Sequence, residues 1–85
     1  MKIVGELWYK NRFFDNKTNE LIYECVDLLK VTPKVGEIVG LKKCLYVVEN
    51  SISKVDDISP KNDGNEDYYI PVDIYVRFLR EKDGL

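Results

Sequence analysis

The sequence predicts a small all-β domain, mainly antiparallel, with about five strands in a partly open barrel or a strongly twisted sheet. Three observations carry that expectation. Alanine and glutamine are absent while valine and isoleucine abound, which removes the best helix former and favours extended backbone. Apolar residues recur at every second position in several runs. Clusters of Asn, Asp, Gly and Pro interrupt those runs at short intervals, as turns between strands do. With 85 residues and 10.0 kDa the chain reads as one domain over 1–85. A chain of this size buries roughly 64% of the surface its unfolded form exposes, so its core is thin.

The first strand is expected from Lys2 to Phe14. Ile3, Gly5, Leu7 and Tyr9 alternate with Val4, Glu6, Trp8 and Lys10, and the pattern continues through Asn11-Arg12-Phe13-Phe14. Asp15 to Asn19 is a polar break whose Asn and Asp residues tolerate left-handed backbone, so the chain should turn back there. Glu20 to Val31 fits two periods. Leu21, Cys25, Leu28 and Leu29 suit a helix, while Leu21, Tyr23, Cys25 and Leu29 suit a strand. The β-branched and aromatic content and the missing alanine favour the strand.

Thr32-Pro33-Lys34-Val35-Gly36 is a turn, because proline forces the residue before it extended and glycine reaches backbone angles that other residues avoid. Glu37 to Leu41 and Leu45 to Val55 then form a second hairpin across Lys42-Lys43-Cys44. In it Tyr46, Val48 and Ile52 share a face, with a bend near Asn50-Ser51. Residues 56–67 are rich in Asp, Asn, Ser, Pro and Gly and read as a flexible acidic loop with a tight Asp63-Gly64 turn. Tyr68 to Arg80 carries the cleanest alternation: Ile70, Val72, Ile74, Val76 and Phe78 face the core, and Tyr69, Pro71, Asp73, Tyr75 and Arg77 face away. Proline cannot donate a ladder hydrogen bond, so Pro71 predicts a sheet edge or a bulge. Residues 81–85 should fray.

Composition excludes several roles. Thirteen basic residues against 15 acidic ones give a net charge of −2, the wrong sign for binding phosphate backbones, so nucleic acid is not an expected partner. No apolar run approaches the ~18 residues of a helical membrane span. Glu6 interrupts the only stretch that resembles a leader, so a cytoplasmic protein is expected. The chain has no histidine, and Cys25 and Cys44 are too far apart for a CxxC site; both read as reduced, buried, small apolar residues. Counting back from Gly64 puts Ser59 and Lys61 where a calcium loop needs acids, so no metal or other cofactor is expected. Nucleophilic chemistry lacks a base. No enzyme is predicted.

The run Pro33-Lys34-Val35-Gly36-Glu37-Ile38-Val39, with Tyr46-Val47-Val48 after it, resembles the P-x-V-G-[DE]-x-V … Y-x-V element of small SH3-like β-barrels. In that element the glycine turn launches a strand whose Val39 packs on Tyr46 and Val48. Asp15 to Glu24 is similar to the hairpin that opens many short β-proteins of bacteria and their phages. The resemblance covers about half the chain and implies a fold, not a catalytic residue, because such barrels host unrelated binding roles. Leu41-Lys42-Lys43-Cys44 departs from it, since a glycine turn is more usual there.

The most informative surface is aromatic and basic. Trp8, Lys10, Arg12 and Phe14 alternate onto one face of the first strand, and Tyr69, Tyr75 and Arg77 point away from the core stripe of the last. Trp, Tyr and Arg combine large contact area with directional polar ends, which makes them frequent binding hot spots. Trp8, Lys10, Arg12, Tyr75 and Arg77 are therefore the expected contact residues. They imply a non-catalytic protein that binds a protein partner as an inhibitor or regulator. The bacterial or phage resemblance points to antagonism of a host system, including a defence system. Two alternatives are sequestration of a small nucleotide ligand and a structural subunit of a phage or plasmid assembly. A thin core and an exposed last strand further predict a homodimer.

Overall fold

The computed structural model describes residues 5–61 and 67–82. Six strands lie in one curled mixed sheet that forms a half-barrel. They are β1 (Leu7–Asp15), β2 (Leu21–Glu24), β3 (Ile38–Leu41), β4 (Cys44–Ser53), β5 (Ser59–Pro60) and β6 (Tyr68–Glu81). Their spatial order is β2-β1-β6-β4-β3, with β5 paired to the start of β6. The last strand is thus the centre of the sheet and not an edge, so the expectation of self-pairing through it loses its geometric basis. Residues 2–4 of the expected first strand, the Asp63-Gly64 turn and the tail 83–85 lie outside the described residues.

β6 holds the centre because its alternation is unbroken from Ile70 to Val76. Val72, Ile74 and Val76 are fully buried and Ile70 is 6% exposed. Phe13 of β1, Val48 of β4 and Leu41 of β3 complete the buried core, with Tyr9, Ile22, Cys25, Val39 and Tyr46 packed around it. Each fully buried Val or Ile contributes about 1.5 to 3 kcal/mol of transfer free energy. Phe78, expected in this stripe, is half exposed and packs edge-to-face with Tyr46, with ring centres 5.9 Å apart. An extra residue, Leu79, bulges from β6 between the Tyr46–Phe78 and Leu45–Arg80 pairs, where the curl ends.

β1 runs parallel to β6 in unbroken register from Leu7–Tyr68 to Asp15–Val76. Every other neighbouring pair is antiparallel. The β1–β2 turn behaves as its composition predicts: Asn19 takes the left-handed conformation at φ 63°, and the Asp15 carboxylate accepts the Lys17 and Thr18 amides. Beyond Glu24, however, the expected strand breaks up. Only the Cys25 amide bond to the Asn11 carbonyl and the Tyr9–Leu29 bridge continue it, and no helix forms over residues 25–31. The chain then crosses to β3, and the buried Asn11 side chain donates from Nδ2 to the Val31 carbonyl.

Across the second hairpin Val39 pairs with Tyr46. Lys42 and Lys43 both have positive φ, 49° and 66°, the backbone that a two-residue hairpin turn demands and that glycine or asparagine adopts more readily. The expected bend in β4 is a bulge at Glu49, one position early. One extra residue reverses which face each later side chain takes. Ser51 therefore lies opposite the buried Ile74, and Ile52 lies opposite Asp73 on the other face, not beside Val48 as expected.

Pro71 also differs from expectation, because it sits inside the central strand. Its carbonyl accepts the Lys54 amide, just where β4 leaves β6 and before β5 joins it. The Lys54 carbonyl, which an N–H at position 71 would face, accepts the Asp57 amide at 3.0 Å instead, so no acceptor is left unpaired by the proline. The expected flexible loop is partly built: Val55–Asp57 form a 3-10 turn, and β5 pairs Ser59 with Tyr69 and Pro60 with Tyr68. Glu81 still pairs with Cys44, and the Lys82 amide donates to the Lys43 carbonyl at 2.7 Å, so the strand holds past its expected fraying point. Both cysteines are free and half-buried rather than fully buried.

Candidate functional site

Pairing in register puts the partners side by side on one face. Trp8 lies beside Tyr69, Lys10 beside Pro71, Arg12 beside Asp73 and Phe14 beside Tyr75. The five expected contact residues, Trp8, Lys10, Arg12, Tyr75 and Arg77, therefore share the face opposite the core. From Trp8 to Phe14 the row is about 20 Å long at ~3.3 Å per residue.

The centre of this face is an ion pair. Arg12 donates from Nε and Nη2 to Asp73 Oδ1, at 2.9 and 2.6 Å, and Lys54 Nζ lies 3.5 Å from Oδ2. Asp73 is only 5% exposed, so two cations compensate one buried carboxylate. Arg12, expected only as a contact residue, is consequently also part of the fold. Next to it the guanidinium lies 5.6 Å from the centre of the Phe14 ring, which stacks on Tyr75 at 5.5 Å. At one end Lys30 and Lys61 lie over the Trp8 ring, 5.1 and 4.0 Å from its centre. Lys30 also pairs with Glu6. At the other end Arg77 donates from Nε to Glu49, which also accepts from Asn16.

These contacts sort the expected residues. Trp8 is covered by ammonium groups and Arg12 is engaged with Asp73. Tyr75 is half-buried with one ring face stacked, and the Arg77 side chain remains 59% exposed. Lys10 makes no ion pair among the described residues. Asp73, Lys54 and Glu49 were not singled out from sequence as site residues. Asp73 did carry a signal, as the one acid in the apolar and aromatic run from Tyr68 to Val76, where a carboxylate needs a partner. The others carried none, since their roles depend on which strands adjoin.

Two further features bear on chemistry. A basin of about 510 Å³ opens beside Arg77 and Phe78, walled by Asp15, Asn16, Lys17 and Glu49. On the core side, burial first and the Asp27 carboxylate second push the Cys25 thiol above its ordinary value, which disfavours the thiolate. Burial, followed by neighbouring Cys44, likewise raises the Tyr46 phenol. Among the described residues no cluster of three or more acidic, Cys or His side chains is placed to hold a metal ion, and no helix is long and apolar enough to cross a membrane. Comparison with protein-family models, curated proteins and solved structures finds no match in any of the three.

Proposed function

We propose that the chain is a non-catalytic binding protein that engages an acidic protein surface through the β1–β6 face, blocking or regulating its partner. The observation that carries this reading is the parallel register, which presents Trp8, Lys10, Arg12, Phe14, Tyr75 and Arg77 on one face, where an ion pair and ring stacking already hold Arg12, Phe14 and Tyr75. Side chains fixed before binding lose little conformational freedom on association, which favours tight contact. Charge supports the choice of partner. Among the described residues Lys10, Arg12, Lys30, Lys54, Lys61 and Arg77 stand around this face against Glu6, Glu24, Glu49, Asp67 and Asp73, six basic to five acidic, although the chain as a whole is acidic. A locally basic face on an acidic protein selects a complementary surface and steers its approach.

Arg77 gives the cleanest test because its bridge to Glu49 is exposed and contributes little to stability. With immobilised protein as bait, a partner recovered from the native host should bind Arg77→Ala about tenfold or more weakly, with an unchanged melting temperature. Tyr75→Ala should weaken it further, and Lys42→Ala, at the far hairpin, should not. A shallow salt dependence fits a protein surface, whereas a steep one would indicate a phosphate-bearing ligand instead. Equal binding by wild type, Arg77→Ala and Tyr75→Ala would overturn the reading. A second copy of this chain as the only species retained would replace an external partner with self-association.

A further inference from the structure

The strand order ends in β2 on one side and β3 on the other, and the two edges differ in what they offer another strand. Across the second hairpin the Val48 amide donates to the Glu37 carbonyl at 2.9 Å, and bonded pairs alternate along an antiparallel ladder. Val39–Tyr46 and Leu41–Cys44 are therefore the bonded pairs of β3 and β4. The N–H and C=O groups of Ile38 and Gly40 point the other way, off the sheet. Among the described residues no strand meets them, because β4 is the only neighbour of β3. Gly40 is exposed and Ile38 is 63% exposed. β2 is defended where β3 is open. A register shift after Phe13 breaks its ladder, and antiparallel pairing of two β2 strands about their centre would set Glu20 against Glu24.

One antiparallel register joins two β3 edges through all of these free groups. It pairs Ile38 of each copy with Gly40 of the other, about a two-fold axis at Val39. Shifting one way sets Ile38 on Ile38 and asks Gly36 to pair, but the Gly36 amide is already given to the Val48 carbonyl. Shifting the other way sets Ile38 against Lys42, whose positive φ takes it out of the strand. Side chains fit the same register. Gly40 leaves a shallow slot beside Leu45, whose Cδ2 is the nearest atom to a Cβ built there, at 3.8 Å. Bonded partners project to one face, so Ile38 of the second copy lies over that slot. Charge sets the direction of pairing. Antiparallel strands bring the Lys42-Lys43 turn of one copy to the Glu37 end of the other, which Lys34 makes close to neutral. Parallel strands would bring the two lysine turns together.

We propose that the free edge of β3 joins a second copy of this chain, continuing the sheet across a two-fold axis at Val39. A pairing this short buries less than the ~1,200 Å² of standard complexes, so the dimer is weak, with Kd on the order of 10 to 100 µM. It leaves the β1–β6 face uncovered and does not depend on the function proposed above.

Sedimentation equilibrium of the full chain from about 1 µM to about 1 mM should show monomer and dimer alone. NMR over the upper part of that range should move the Ile38 and Gly40 amides with concentration and leave those of Tyr23 and Glu24 in place. Ile38→Lys, at a side chain exposed in the monomer, should raise Kd about tenfold or more with an unchanged melting temperature in dilute solution. A pair of charge variants controls for folding. Glu37→Lys in one sample and Lys42→Glu with Lys43→Glu in another should, once mixed, dimerise more tightly than either alone, by about tenfold relative to Glu37→Lys. A monomer throughout the range, a dimer indifferent to Ile38→Lys, or a mixture no tighter than its components overturns the proposal. Larger polymers also overturn it, because pairing of β3 with β2 does not close. So do Ile38 and Gly40 shifts that require an added host protein, which would put a foreign strand at this edge.

Discussion

The two faces of the β1–β6 pair are made by the same strands and held by different physics. On the core face Val72, Ile74 and Val76 are shielded from water on all sides, and the attraction depends on area, not direction. On the outer face the Arg12–Asp73 pair, the Phe14–Tyr75 stack and the lysines over Trp8 depend on geometry and on each partner being present. Exposure alone therefore misjudges a residue's role here. Arg12 and Arg77 look alike in sequence, yet one compensates a buried charge and the other is left for contact.

The largest expected effect lies on the core face. Ile74→Ala should cost about 2 to 5 kcal/mol and lower the melting temperature by on the order of 15 °C, whereas Ile74→Val should cost about 1 kcal/mol. Next comes the outer face: Arg12→Ala should cost about 2 kcal/mol, because Asp73 keeps only the more distant Lys54. Asp73→Asn in that background should recover part of the loss, and a double-mutant cycle should return a coupling of about 1 kcal/mol or more. A coupling near zero would reduce the outer face to surface decoration and erase the contrast. A variant on neither face calibrates both. Replacing Lys42-Lys43 with Asn-Gly should raise stability by about 1 kcal/mol, since it relieves two left-handed lysines.

The smallest effect is a pH dependence confined to the core side. Because the folded chain holds the Cys25 proton more tightly than the unfolded chain, this contribution is constant below the ordinary thiol value. It falls as pH rises above about 9, where the unfolded thiol ionises first. Cys25→Ser should flatten that part of a denaturation-versus-pH profile. At neutral pH Cys25 should also react more slowly with iodoacetamide than a thiol in the urea-unfolded chain.

Alternation made both faces legible in the sequence. It assigned Ile70, Val72, Ile74 and Val76 to the core and set Trp8, Lys10, Arg12, Tyr75 and Arg77 apart from it. What it does not encode is adjacency. A period of two says which way a side chain points but not which strand lies beside it, so the bond between Arg12 and Asp73, 61 residues apart, was invisible. The same gap explains Pro71: proline excludes a hydrogen bond, and a junction between two neighbouring strands excludes it as well as an edge does. Parity also fails wherever a bulge intervenes, as Ile52 beyond Glu49 illustrates. The segment after Glu24 misled because its alternation is not matched by a continuous ladder: Cys25 and Leu29 reach β1, while Val26 and Val31 are exposed.

The central position of β6 has a consequence for how the chain assembles. The β1–β2 and β3–β4 hairpins close over short spans, but each then waits for one shared neighbour supplied late in the sequence. Until it arrives, two hairpins flank an empty slot one strand wide. Closing such distant contacts costs chain entropy before it yields any pairing, so folding is expected to be slow for so short a chain. That arrangement also makes β6 separable in principle. A peptide spanning 68–81, added to a fragment ending before it, would enter the slot as a donated strand and rebuild both faces in one step.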